Sequence, residues 1–222
     1  MSTYDGVVTP GGPSQAREAG EVTIRKMSVS AMHNNVYLLT HRDGSQVLID
    51  AADDAPRVLE FIAEGGKGLD ALITTHQHWD HVRALAEVAA VTGARTYAGE
   101  DDADALPVAP EVRLQQGDRI QAGSIAVDVV YLRGHTPGSV ALAYTDASDG
   151  NRVHLFTGDA LFPGGVGNTK LPGQNFDSLY ADVTERIFDV YDDRTIVYPG
   201  HGADTTLGKE RPHLGEWRAR GW

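Results

Sequence analysis

The sequence predicts an α/β fold in which two mixed sheets pack face to face with helices outside. Three observations predict it. Short apolar and β-branched runs alternate with helical patterns, and each half of the chain carries strands followed by a helix and a further strand. Hydrophobic residues make up 41% of 222 and charged residues 23%, an ordinary globular balance that can bury a core. No repeat, low-complexity block or flexible linker interrupts the pattern, so residues 21–222 read as a single domain behind a loose N-terminal tail over residues 1–20.

The elements follow in order. Val22 to Ser30 and Val36 to Thr40 are expected strands, and Gln46 to Asp50 is a third after the Asp43-Gly44 turn. Pro56 to Ala63 has helical spacing, with Val58, Leu59 and Ile62 apolar and Pro56 suited to a first turn. Leu69 to Thr74 is a short apolar run of the kind found in buried strands. Val82 to Val91 is helical in pattern. Ser124 to Tyr131, Val140 to Tyr144 and Val153 to Thr157 read as strands. Leu179 to Val190 is an expected helix, with Leu179, Val183, Ile187 and Val190 on one stripe, and Thr195 to Tyr198 is a last short strand.

Composition narrows the chemistry. The net charge of −12 argues against nucleic-acid or anionic-membrane partners, which need a positive face. No apolar run approaches the ~20 residues that span a bilayer. The absence of a secretory pattern at the N-terminus and of any Cys fits a cytoplasmic setting. Without Cys, and with nine His, a transition-metal site has to be built from imidazole and carboxylate.

Such a set is present. Thr75-His76-Gln77-His78-Trp79-Asp80-His81 follows the expected strand Leu69 to Thr74 and places four potential metal ligands within six residues. His76 and His78, two apart in extended chain, can point the same way. Asp80 and His81 come where the chain bends toward a helix, so they can face a different centre. His135, Asp159 and His201 each follow an expected strand and each sits beside a glycine, at Gly134, Gly158 and Gly200. Imidazoles crowded this tightly repel when protonated, and a cation relieves that repulsion.

The His-x-His-x-Asp-His run, with the Gly-flanked His135, Asp159 and His201, resembles the metallo-β-lactamase superfamily. The resemblance runs from about Asn34 to His201. It implies a four-layered αββα sandwich with the site at one edge between the sheets. It also implies that His76, His78 and His135 hold one metal, that Asp80, His81 and His201 hold a second, and that Asp159 bridges both. Asp159 stands where the zinc β-lactamases carry Cys, which argues against antibiotic hydrolysis. Trp79, the run Gly158-Asp159-Ala160-Leu161-Phe162-Pro163-Gly164-Gly165-Val166-Gly167 and the run Pro199-Gly200-His201-Gly202 are most similar to the glyoxalase II (hydroxyacylglutathione hydrolase) group. Glutathione-using members typically carry a basic residue where Asn168 stands and often Tyr where Ala203 stands. The chain has only 21 residues after His201, short of the helical substrate domain of the longer members.

These readings imply a metal-dependent hydrolase that cleaves a small-molecule thioester with two divalent cations, zinc first, with iron or manganese tolerated by the same ligands. Asp80 is also expected to steer the nucleophile as a catalytic residue. The rival activities are a persulfide dioxygenase with a single iron and a lactonase; a metal-dependent binding module is the non-enzymatic rival. The sequence does not define an oligomeric state. Among the remaining residues, Asp50 either orients a ligand imidazole or caps a turn. Trp79 is expected to pack behind the metal loop, and Lys170 to be a solvated surface lysine. His33 is expected in a turn, and His41, His154 and His213 at the surface. Glu100-Asp101-Asp102 with Asp104 reads as a solvated acidic face. The ending Trp217 to Trp222 either folds back over the site or forms an interface.

Overall fold

The computed structural model describes residues 4–66 and 68–222. In the first half, β1 (Gln15–Ala19), β2 (Val22–Val29), β3 (Asn34–His41) and β4 (Gln46–Ile49) form an antiparallel meander. Helix α1 (Ala55–Gly65) leads to β5 (Ala71–Thr74), and α2 (Leu85–Thr92) leads to β6 (Arg95–Gly99) and β7 (Val112–Leu114), so β4 to β7 are parallel. These seven strands form one sheet in sequence order. Strands β4 and β5 are buried on both faces, as parallel strands covered by crossover helices must be.

The second sheet runs β15-β14-β11-β10-β9-β8. Its strands are β8 (Arg119–Ala122), β9 (Ile125–Tyr131), β10 (Val140–Asp146), β11 (Arg152–Gly158), β14 (Ile196–Pro199) and β15 (Thr205–Thr206). A small hairpin, β12 (Leu161–Phe162) and β13 (Gly165–Val166), leaves the end of β11. Helix α3 (Phe176–Val183) precedes β14, and α4 (Leu207–Glu210) and α5 (Leu214–Arg220) follow β15.

Side-chain alternation divides the apolar residues into three layers. Ile24, Leu39, Ile49 and Ile73 meet Ile125, Val127, Leu142 and Phe156 between the sheets. Leu38, Leu48 and Leu72, on the other face of the first sheet, pack under Val58, Phe61 and Leu85 of α1 and α2. Leu155 and Val197, on the outer face of the second sheet, pack under Leu179, Val183 and Trp217 of α3 and α5. This is the expected four-layered αββα sandwich. Helix α1 starts where the Asp54 carboxylate accepts from the Arg57 N–H, with Pro56 in the first turn.

The structure corrects several expectations. In the expected tail over 1–20, residues 1–3 lie outside the described residues, but Gln15–Ala19 is the edge strand β1, paired along its length with β2. The two-residue turn at Gly20-Glu21 makes that pairing local. Strands β6, β7 and β8 are too short and polar to stand out in the sequence. The expected helix Leu179 to Val190 begins earlier, at Phe176, capped by the Asn175 side chain, and widens into a π turn over Thr184–Phe188. His154 lies inside, because it shares a face of β11 with Phe156; its Nδ1 lies 2.8 Å from the Tyr198 hydroxyl. Trp217 is buried against Phe188 and anchors α5, whereas Trp222 is half-exposed under the Arg220 guanidinium. Arg220 also contacts the Gly164 carbonyl, so the C-terminal segment folds back on the β12–β13 hairpin just after Asp159. Truncating Trp217 to alanine would cost about 3–5 kcal/mol. No helix among the described residues is long and apolar enough to cross a membrane.

Candidate metal centre

All seven residues singled out by the sequence converge at the edge of the sandwich, on loops that leave β5, β9, β11 and β14. They form three overlapping groups whose ligand atoms lie within 4.8 Å of one another among the described residues. These are His76, His78 and His135; Asp80, His81 and His201; and His76, His81 and Asp159. Asp159 is close to both sets. Its Oδ1 is 3.3 Å from His81 Nε2, and its Oδ2 is 3.4 Å from His201 Nε2 and 3.7 Å from His135 Nε2.

The imidazoles are oriented by bonds to the rest of the protein. His135 donates from Nδ1 to the Asn168 carbonyl at 2.8 Å, and His201 donates from Nδ1 to the Met32 carbonyl at 2.8 Å. His81 donates from Nδ1 to Asp50 at 2.9 Å. The Thr75 hydroxyl donates to Asp50 at 2.8 Å and accepts from His76 Nδ1 at 3.0 Å. With Nδ1 occupied in four of the histidines, the tautomer assigned by these bonds turns each Nε2 lone pair inward. Asp50 itself takes a left-handed conformation, φ 60°, so that one oxygen reaches the Thr75 N–H while the other holds His81. It orients a ligand imidazole, the first of the two roles its sequence position allowed.

Close approach explains the glycines. A Cβ at Gly200 would collide with Asp159 Oδ1 and the His81 ring, and one at Gly158, φ 48°, would collide with the Thr75 hydroxyl.

The electrostatics differ across the centre. Burial holds His76, His78 and His135 below the usual imidazole range. Burial also opposes charge on His81 and His201, but the carboxylates prevail. Asp159 and Asp50 raise His81, and hydrogen bonds to Asp159 and Asp80 raise His201 to about 10. Burial would raise Asp80 and Asp159, yet His201 and Asn34 on Asp80, and His81 and His201 on Asp159, hold both well below the usual carboxylate range.

A cation fits this set on an observation internal to the fold. His76 Nε2, His135 Nε2 and Asp159 Oδ1 are buried polar atoms without a hydrogen-bond partner. Leaving such atoms unpaired costs about 1–3 kcal/mol each, and His76 shares one ligand group with His135 and another with Asp159.

Sequence reasoning missed Asp102. It is fully buried, and its carboxylate accepts from the Gln77 N–H at 2.9 Å, the Thr136 hydroxyl at 2.6 Å and the Gly138 N–H at 2.7 Å. It thereby fastens the His76–His78 loop to the His135 loop. Its partners lie 25 to 36 residues away, so no local signal separates it from its exposed neighbours Asp101 and Asp104. Trp79 reverses its expectation: it is 60% exposed, with the Arg83 guanidinium 4.5 Å from its ring centroid. The tight turn Trp79–His81 directs Asp80 and His81 inward, which sends Trp79 out. His33 lies in a turn with φ 58°, and His213 is exposed beside Glu216.

Fold and site together define a metal-dependent hydrolase, and the chain belongs to the metallo-β-lactamase superfamily, whose family model matches residues 30–201. It is similar to hydroxyacylglutathione hydrolase GloC of Haemophilus influenzae, 26% identical over 86% of this chain and 95% of that one. It is also similar to the probable metallo-hydrolase YqgX of Bacillus subtilis, 28% identical over 84% of this chain and 93% of that one. Among solved structures, TTHA1623 in a di-iron-bound form superposes with a TM-score of 0.71 at 31% identity, over 84% of this chain and 96% of that one.

Proposed function

We propose that this site hydrolyses a small-molecule thioester with the help of two divalent cations. His76, His78 and His135 would hold one, Asp80, His81 and His201 the other, and Asp159 both. The observation that carries this reading is the convergence of the unpartnered His76 Nε2, His135 Nε2 and Asp159 Oδ1 within reach of the second group. The name of the Haemophilus relative and the di-iron form of the solved neighbour point the same way. When bound, such cations supply Lewis acidity, which acidifies water and polarises a carbonyl. The same donors admit zinc, iron or manganese, and zinc is the first choice for an imidazole-carboxylate set.

The chain's own groups do the rest. Asn34 donates to Asp80 Oδ2 at 2.9 Å and fixes the carboxylate that would steer the nucleophile. Beside His78 and His135 lies a cavity of about 180 Å³, lined by Gln77, Thr136, Pro137, Leu171 and Gln174 among others. Gln174 closes its wall by donating to the His135 carbonyl at 2.8 Å. The lining offers no Lys, Tyr or Cys acid, and a thiolate is a leaving group that needs none. It also offers no Lys or Arg for the carboxylates of glutathione, and Asn168, whose side-chain oxygen accepts from the Lys170 N–H, carries no positive charge. We therefore read the substrate as a thioester without a required glutathione part.

The test is metal analysis of the purified chain coupled to thiol release from a panel of acyl thioesters, with lactones and persulfides beside them. The expected result is two cations per chain and hydrolysis of thioesters. An active chain with one iron that consumes oxygen on a persulfide would overturn the reading.

A further inference from the structure

We propose that Lys26 is a positioning residue for His201. Its buried ammonium fixes the loop that presents His201, and so sets how tightly the second cluster holds a cation. The proposal rests on the two-cluster reading above.

Lys26 lies on β2 in the same alternating set as Val22 and Ile24, which face the space between the sheets. It is fully buried. An ammonium carries three donors, and all three are used. Nζ donates to the Gly202 carbonyl at 2.8 Å, to Asp204 Oδ1 at 2.6 Å and to the Gly6 carbonyl at 2.7 Å. Gly202 is the residue after His201, and Asp204 is two further on. Residues 200–204 connect β14 to β15. Gly200 is held by backbone bonds to Gly158 and Asn35, and His201 by its bond to the Met32 carbonyl, whereas the Gly202 carbonyl just beyond them is held by side-chain donors. The Asn35 side chain adds a second donor to the Gly202 carbonyl at 3.0 Å. Tyr4 donates to the other oxygen of Asp204 at 2.5 Å, so the segment Tyr4–Gly6 closes over the ammonium.

A buried charge persists only when it is fully paired. Here the pairing spans three separate pieces of chain, and two of its acceptors belong to the His201 loop. Without the ammonium, the Gly202 carbonyl loses its shortest side-chain bond, and Asp204, whose side chain is only 11% exposed, loses its cation. The loop then has reason to move toward water and take His201 with it. The loops of His76, His78 and His135 share no bond with Lys26. Loss of an outer partner commonly weakens metal affinity about 10–100-fold, and here that loss should fall on one cluster.

The experiment titrates the metal-free full chain with zinc against a chromophoric chelator and resolves two dissociation constants, for wild type, Lys26→Met and Lys26→Met/Asp204→Asn. The double variant removes the uncompensated carboxylate and serves where the single variant is too unstable to purify. The expected result is a second constant weakened about tenfold or more, with the first changed by less than about threefold. A purely structural role would lower the melting temperature and leave the ratio of the two constants alone, and that result would overturn the proposal. Equal weakening of both constants would overturn it as well. A wild-type chain that binds a single zinc would overturn the two-cluster reading itself, and is recognised before any variant is made.

Discussion

The two halves of the metal centre are built on opposite electrostatic plans. Burial disfavours charge on His76, His78 and His135, and two of them aim an unpartnered Nε2 inward. His81 and His201 instead lie beside Asp80, Asp159 and Asp50, which favour charge on them. The first cluster is a set of three imidazoles from two loops joined by the buried Asp102. In the second, imidazoles and a carboxylate face one another, and its outlying member, His201, rides on a loop joined to the rest by Lys26 and Asn35. The contrast teaches that one centre can separate a tightly preorganised half from a half whose ligands have alternative partners. The first half offers two imidazole nitrogens without hydrogen-bond partners, whereas those of the second lie within 3.6 Å of carboxylate oxygens.

The largest expected effect falls on the residue shared by both halves. Asp159→Ala should reduce thioester hydrolysis by more than about a hundredfold, beyond what loss of an outer partner costs, and lower metal content at both clusters. Near-normal turnover and two ions per chain in that variant would dissolve the comparison, because nothing would then couple the halves.

Ligand deletions on either side should separate them. His135→Ala should deplete the first cluster, and His201→Ala mainly the second. Elemental analysis together with anomalous scattering from crystals of each variant would show which position empties. Loss at the same position in both variants would contradict the assignment.

The comparison can be read only where the fold persists, and His154 sets an acid limit on that. Burial depresses its pKa to about 4. A depressed imidazole stabilises the fold above its unfolded value near 6.5, and that contribution is lost as pH falls from there toward 4. At pH 5 the loss should be about 2 kcal/mol. Denaturant unfolding of metal-free protein at pH 7 and pH 5 checks it, since a His154→Asn variant should lack this part of the pH dependence. An unchanged pH slope in the variant would remove His154 from the account.

A smaller effect sharpens the first half. Asp102→Asn keeps the shape but removes the charge that gathers Gln77, Thr136 and Gly138, so it should weaken the first zinc constant about tenfold and spare the second. Equal effects on both constants would mean that Asp102 supports the whole edge of the sandwich. The smallest expected discrimination concerns the cavity beside His78 and His135. Lactoylglutathione should be preferred over other small acyl thioesters by less than about a hundredfold in kcat/KM, the reach of one missing charge-assisted contact. A larger preference would place the anchors outside that lining, with Lys170 as the first residue to replace.

The sequence by itself determined the seven convergent residues and the sandwich that carries them. Metal-ligand types are rare, and here they cluster within six residues or stand beside glycines at strand ends. Alternating or continuous apolar runs bounded by turn residues mark strands without knowledge of partners, which is why β2 to β5 and β9 to β11 were legible. Only the tertiary structure decided the supporting roles. Asp102 and Asp101 are neighbours of the same type, yet one is buried under two metal loops and the other is exposed. Lys26 looks like an ordinary strand lysine until the second sheet brings Gly202 and Asp204 against it. His154 and Trp79 exchanged their expected places because burial depends on what packs opposite, not on the residue alone. Asp102, Lys26 and His154 take their roles from partners far away in the chain, and a hydrogen bond across such a separation leaves no periodicity in the sequence to read.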